Sequence, residues 1–140
     1  MLRTVSERKY VIVGNGFAGT TAAEQLRKLD PACSIALFTD EPYPLYNRIA
    51  LPPLLRKQVT EQKVIMRDAA WHEKHAIALH LRTRIERIDA AGKVAYAGET
   101  GYPFDALFVA TGLRKQSPPG LALHPLRPAW EWLKQATITA

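Results

Sequence analysis

The hexapeptide Gly14-Asn15-Gly16-Phe17-Ala18-Gly19 constrains this chain more than any other stretch of it. It fits Gly-x-Gly-x-x-Gly, a spacing with a mechanical reason: the first glycine permits a tight turn, the second lets a pyrophosphate approach the backbone, and the third lets helix and strand pack closely. A β-branched and aromatic run, Tyr10-Val11-Ile12-Val13, precedes the turn and stops at it. Beyond it, Ala18, Ala22, Ala23, Leu26 and Leu29 recur at the spacing of one helical face. Strand, turn and helix are therefore expected, with the helix running from Phe17 to Leu29 because Pro31 disfavours helical geometry at Asp30. Ser34 to Phe38 supplies a second strand, which closes a βαβ unit of about 30 residues.

A helix N-terminus entered through glycines presents free amides and the positive end of the helix dipole, so it favours an anion without needing a cationic side chain. Asp40 and Glu41 lie at the end of the second strand, roughly 20 to 25 residues beyond the turn, where a carboxylate can accept both hydroxyls of an adenosine ribose. Either acid can fill that role, and Glu41 is preferred slightly. The turn itself does not distinguish FAD from NAD, since both present the same pyrophosphate to it.

The remainder reads less sharply. Pro42 to Pro53 is rich in proline and tyrosine and predicts an irregular loop with little regular structure, followed by a short helical turn over Leu54 to Gln58. Ile77, Leu79, Leu81 and Ile85 alternate, Ile88 breaks the phase, and Ala91-Gly92 offers a turn before Val94 and Tyr96. This predicts an antiparallel hairpin or small meander. Phe104 to Ala110 is apolar nearly throughout, as expected of a strand covered on both faces of a parallel sheet, and it stops at Thr111-Gly112. After Gly112, prolines 118, 119, 125 and 128 exclude a long helix before Trp130 to Gln135.

Composition excludes several classes. With 47% apolar and 23% charged residues the chain is that of a folded domain, and no apolar run approaches the roughly 20 residues of a membrane span. Met1 to Lys9 lacks the apolar core of a secretory signal, so a cytoplasmic location is expected. The single cysteine, Cys33, rules out an internal disulfide or a Cys-x-x-Cys site. Redox chemistry then needs a cofactor. The net charge of +6 suits a phosphorylated ligand, whereas the dispersed Lys and Arg residues give no nucleic-acid groove. His72 and His75 stand three apart, but lack the cysteine and carboxylate partners of a metal site. Trp71 is expected to pack in the protein rather than stack on a flavin.

The glycine turn, Glu41-Pro42, Tyr46-Asn47-Arg48, Thr83-Arg84-Ile85 with Ile88-Asp89, and the strand end Ala110-Thr111-Gly112 occur in that order. Together they resemble the FAD-binding first half of the pyridine-nucleotide oxidoreductases, especially the branch of rubredoxin reductases, ferredoxin reductases and the nitrite reductase large subunit. The resemblance covers about Tyr10 to Leu121. It implies an α/β, Rossmann-like FAD-binding domain, a parallel sheet with a βαβ unit plus a small antiparallel meander, incomplete here. This unit is expected over 1–121, followed by a divergent tail over 122–140. It further implies that Gly14, Gly16 and Gly19, with the amides of Asn15, Phe17 and Ala18, hold the FAD pyrophosphate, and that Glu41 or Asp40 holds the ribose. Arg48 would sit on the flavin side, Ile85 would bring its backbone near the adenine, and Ala110, Thr111 and Gly112 would line the cofactor.

The departures are informative. Disulfide reductases of this superfamily carry a redox cysteine pair after the second strand, and Tyr46 to Pro53 has no cysteine. Ferredoxin reductases usually carry Ser-Lys after an Arg-Pro-Pro-Leu segment, where this chain has Ile49-Ala50-Leu51-Pro52-Pro53. The nitrite-reductase-like subgroup is the nearer match. In the family, NAD(P)H binds a second nucleotide domain inserted after the Ala-Thr-Gly strand, and electrons leave through the flavin to an iron-sulfur protein, a rubredoxin, a siroheme partner or oxygen. A truncated member is therefore expected, either pairing with a separately encoded second half or persisting as a flavin-binding module without turnover of its own.

Overall fold

The computed structural model describes residues 7–113 and Glu131. In chain order the elements are β1 (Lys9–Val13), α1 (Phe17–Leu29), β2 (Ser34–Phe38), β3 (Leu45–Tyr46), a 3₁₀ turn (Arg48–Ala50), α2 (Leu51–Leu55), α3 (Glu61–Val64), β4 (Ile65–Arg67), α4 (Ala69–Lys74), β5 (Ile77–His80), β6 (Arg87–Asp89), β7 (Val94–Ala97), β8 (Thr100–Pro103) and β9 (Ala106–Val109). The tail over 122–140 and the expected Trp130 to Gln135 helix lie outside the described residues, Glu131 apart.

A four-stranded parallel sheet of order β5-β2-β1-β9 organises the molecule. The strand order reverses at β1, where ligands of open α/β sheets bind beyond the carboxyl ends of the strands. β1 feeds both faces by simple alternation. Ile12 joins Ala23 of α1, Cys33, Ile35, Leu37 and Ile77 on one face, with Trp71 of α4 packed against them. Val11 and Val13 join Phe38 and Ala95 on the other, under Ile85, Tyr102 and Phe104. That second face is roofed by the antiparallel meander β6-β7-β8. A separate small core of Tyr46, Leu51, Leu54 and Val64 holds the β3 to β4 region together.

Four expectations are corrected. Ile77 to His80 is not part of an antiparallel hairpin: it pairs in parallel with β2, and the meander begins only at Arg87. The alternation of Ile77 and Leu79 is common to any half-covered strand, and pairing direction is not encoded in it. Pro42 to Pro53 holds more regular structure than expected, because Pro52 and Pro53 fall in the first turn of α2, where a missing N–H costs nothing. The helical turn there is Leu51–Leu55 rather than Leu54 to Gln58. Finally, the strand after Phe104 is not covered on both faces. β9 pairs only with β1 among the described residues, and Phe108 and Val109 are 45% and 57% exposed. The segment 59–76, for which no elements were expected, forms α3, β4 and α4.

Arg27 fastens the opposite edge of the sheet. Its guanidinium donates to the carbonyls of Pro31 and Cys33 (both 2.8 Å) and of His75 (2.9 Å) and Ala76 (2.8 Å), tying α1 to the start of β2 and to the turn before β5. Five fixed donors on a planar group suit this better than the point charge of lysine.

Candidate functional site

Beyond the carboxyl ends of β1, β2 and β9 the backbone forms a continuous rim. The Gly14 N–H donates to the Phe38 carbonyl (2.8 Å) and the Ala110 N–H to the Val13 carbonyl (2.7 Å), so the turn is clamped between both neighbouring strands. Gly14 has φ +115°, and a Cβ there would collide with the Ala110 carbonyl. A Cβ at Gly19 would collide with the Gly14 carbonyl. These two glycines are required by the close approach of protein to protein. Gly16 differs: nothing lies within 4 Å of a Cβ built on it, so the turn is open where a ligand's phosphates would approach.

The first intrahelical bond of α1 runs from the Thr20 N–H to the Gly16 carbonyl (3.0 Å), so the amides of Phe17, Ala18 and Gly19 precede the helical ladder. No side chain caps them and no acid stands in the first turn of α1. Gly16, Phe17 and Ala18 are exposed. Asn15 is oriented from behind, its Oδ1 accepting from the buried Thr20 hydroxyl (3.0 Å), while its Nδ2 is buried without a partner. An uncapped amide set, an open cradle over Gly16 and an orphaned amide donor fit a bound pyrophosphate.

Of the two candidate acids, Asp40 is exposed, whereas Glu41 turns inward with its side chain 19% exposed. The Glu41 N–H donates to the Thr39 hydroxyl (3.2 Å) and its carbonyl accepts from the Arg82 N–H (3.1 Å). With the Thr83 N–H donating to the Thr39 carbonyl (2.8 Å), the segment leading to Ile85 runs beside the acid. Ile85 itself turns its side chain into the core under the meander. Ala110 abuts Gly14, and Thr111 and Gly112 follow it in the open, Gly112 at φ +73°.

Arg48 reaches back to Glu41. Its Nη2 lies 2.9 Å from the Glu41 Oε1, and its guanidinium stands 5.8 Å above the Tyr46 ring. Two of the expected cofactor-binding residues, Glu41 and Arg48, thus touch each other. Local sequence fixes this: the Asn47 side chain accepts from the Ile49 N–H (3.0 Å), starting the 3₁₀ turn that carries Arg48, and the Asn47 N–H donates to the Val64 carbonyl (2.8 Å). Tyr46, to which no role was assigned, is buried beneath Arg48, and burial, followed by the adjacent Glu41 carboxylate, raises the pKa of its phenol.

This chain belongs to the pyridine nucleotide-disulphide oxidoreductase family. The family's sequence model matches residues 8–132. The chain is 38% identical over 112 residues to the ferredoxin--NAD(+) reductase component of the anthranilate 1,2-dioxygenase system of Burkholderia cepacia, which covers 79% of this chain and 28% of that protein. It is 30% identical over 110 residues to the nitrite reductase [NAD(P)H] of Bacillus subtilis, covering 77% of this chain and 14% of that protein. Among solved structures, a ferredoxin reductase from Rhodopseudomonas palustris superposes with a TM-score of 0.75 at 25% identity over 94% of this chain and 34% of its own. The chain therefore spans less than a third of the length of these curated relatives. As a member of an oxidoreductase family named for disulphide chemistry, it has only Cys33, which is buried just before β2 and whose thiol pKa is pushed up by that burial. A thiol so placed is a poor nucleophile. No helix among the described residues is long and apolar enough to cross a membrane.

Proposed function

We propose that this chain binds FAD across the ends of β1, β2 and β9, as the dinucleotide-holding part of an oxidoreductase that passes electrons from NAD(P)H through flavin to an acceptor. The observation that carries this reading is the turn itself, closed to side chains at Gly14 and Gly19 by protein contacts yet open above Gly16. The amides of Asn15, Phe17, Ala18 and Gly19 would receive the pyrophosphate, with the dipole of the 13-residue α1 behind them. Glu41 would accept from the ribose hydroxyls, the backbone near Ile85 would flank the adenine, and Ala110, Thr111 and Gly112 would line the far side of the crevice. Asp40 keeps its place as the alternative acid, outside the crevice. The FAD-binding unit is taken to extend to residue 121.

FAD when bound supplies a carrier that accepts a hydride and releases electrons, and the chain's side chains bind and orient it. FAD rather than NAD is favoured by the order of motifs from Gly14 to Gly112, and the relatives include proteins named as a ferredoxin--NAD(+) reductase component and a nitrite reductase [NAD(P)H]. An iron-sulfur protein, a rubredoxin or a siroheme partner is the corresponding class of acceptor. The 140 residues hold one Gly-x-Gly-x-x-Gly, so the nicotinamide donor is assigned to a second nucleotide site outside them, such as a separately encoded second half. These 140 residues alone are expected to bind flavin without NAD(P)H turnover.

The test is the absorption spectrum of purified protein after FAD has been added and the excess removed. Retained flavin bands are expected, together with at least a tenfold weaker affinity in Gly16→Val. Gly16 has φ −86°, which any residue adopts, and its Cβ would meet open space, so that variant should melt within a few degrees of the parent. A folded parent protein that retains no flavin would overturn the proposal.

A further inference from the structure

Resting on that reading, we infer that Arg48 acts on the nucleotide through Glu41, as a positioning residue for the ribose acid, rather than by its own contact with the flavin half of the cofactor. The evidence is a three-residue arrangement. The Arg48 Nη2 donates to the Glu41 Oε1 at 2.9 Å from a side chain that is itself 66% exposed, so the long arginine reaches back over the surface toward the acid instead of extending away from it. Below, the buried Tyr46 ring lies 5.8 Å from the guanidinium, and its phenol, near the same carboxylate, is buried without a hydrogen-bond partner. The Asn47 cap and its tie to Val64 hold the backbone between them.

A carboxylate has about four lone-pair sites and Arg48 takes one, so Glu41 can be held by arginine and still accept two ribose hydroxyls. What Arg48 contributes is orientation. A free glutamate on the rim would sample several rotamers, of which one faces the crevice. Pinned from one side by the guanidinium and backed by Tyr46, it is set before the nucleotide arrives, and preorganisation of this kind raises affinity by removing an ordering cost.

Because the effect passes through one carboxylate, it must vanish when that carboxylate is removed. The experiment is a double-mutant cycle on the full chain, with FAD affinity read by quenching of flavin fluorescence. Glu41→Gln is expected to weaken FAD by at least about tenfold, as for lost charged hydrogen bonds, and Arg48→Met by about three- to fivefold, the range of an exposed ion pair. The double variant is expected to bind no more weakly than Glu41→Gln alone. Multiplying effects, about thirtyfold or more in the double variant, would overturn the inference while leaving FAD binding intact, because Arg48 would then contact the cofactor independently. No FAD binding by the parent would overturn the functional reading, and this inference with it. Arg48→Lys provides a further check: a point charge lacking the planar fork should restore only part of the loss, and full restoration would argue for general electrostatics instead of aim.

Discussion

The two edges of the parallel sheet make an instructive pair. β5 and β9 are each four residues long, each is mostly apolar, and each pairs with one neighbour among the described residues. Yet Ile77 of β5 is buried in the main core, while Phe108 and Val109 of β9 stand in the open. The difference lies in what precedes each strand. α4 comes immediately before β5 and packs on it, with Trp71 against the core, His72 fully buried and His75 stacked on the Trp71 ring at 4.2 Å. Arg27 then fastens the connecting turn to α1. β9 follows the meander directly, with no helix before it, and its ends are held by backbone bonds such as the Asp105 N–H to the Lys9 carbonyl (2.8 Å) and the Ala110 N–H to the Val13 carbonyl (2.7 Å), with the Lys9 N–H donating to the Asp105 side chain (2.8 Å). An apolar strand is thus finished by local sequence at one edge and left bare at the other.

Stability measurements can break this comparison. The largest expected effect is at the covered edge. Ile77→Ala should cost about 2 to 5 kcal/mol in urea denaturation, the range for truncating a buried aliphatic side chain that leaves a cavity. A loss below about 1 kcal/mol would mean that α4 does not seal β5.

A second measurement sharpens the same edge through pH. His72 is 1% exposed, its Nδ1 donates to the Asp68 carbonyl at 2.7 Å, and its Nε2 has no partner. Burial lowers its pKa, with Asp68 opposing that shift and His75 and Arg67 adding to it. The unfolded chain therefore takes up a proton first as the pH falls. Stability is full above the unfolded value of about 6.5 and declines as pH falls toward the folded pKa, by about 1.4 kcal/mol for each unit of lowering. His72→Gln should show less of this decline between pH 7 and 5, and identical profiles would remove His72 as its cause.

The smallest effect is expected at the bare edge. Val109→Thr keeps the β-branched shape and exchanges a mostly exposed methyl for a hydroxyl, so the change should stay within about 0.5 kcal/mol. A loss comparable to that of Ile77→Ala would show that β9 is covered in solution.

Legibility followed the range of the interactions. The turn, α1 and β2 were readable to the residue, because Gly14, Pro31 and the apolar spacing act within a few residues of the structure they impose. The β6 to β7 turn was readable for the same reason, the Gly92 N–H donating to the Asp89 side chain (2.9 Å). The stretch from Pro42 to Ala76 was not, since its short elements are held by a small core that pairs Tyr46 with Leu54 and Val64, residues with no local signal of meeting. Within the candidate site the glycines and the two acids were visible, with Glu41 preferred slightly, but the contact between Arg48 and Glu41 was not.

By itself, then, the sequence determined the glycine turn and its helix, for these rest on backbone sterics and nearest-neighbour periodicity. The tertiary structure decided which strand sits at an edge, that Ile77–His80 runs parallel to β2, and that Arg48 grips Glu41 over Tyr46. Each of those depends on groups distant along the chain being brought within a few ångströms, and pairing direction, coverage and side-chain aim exist only once the sheet has assembled.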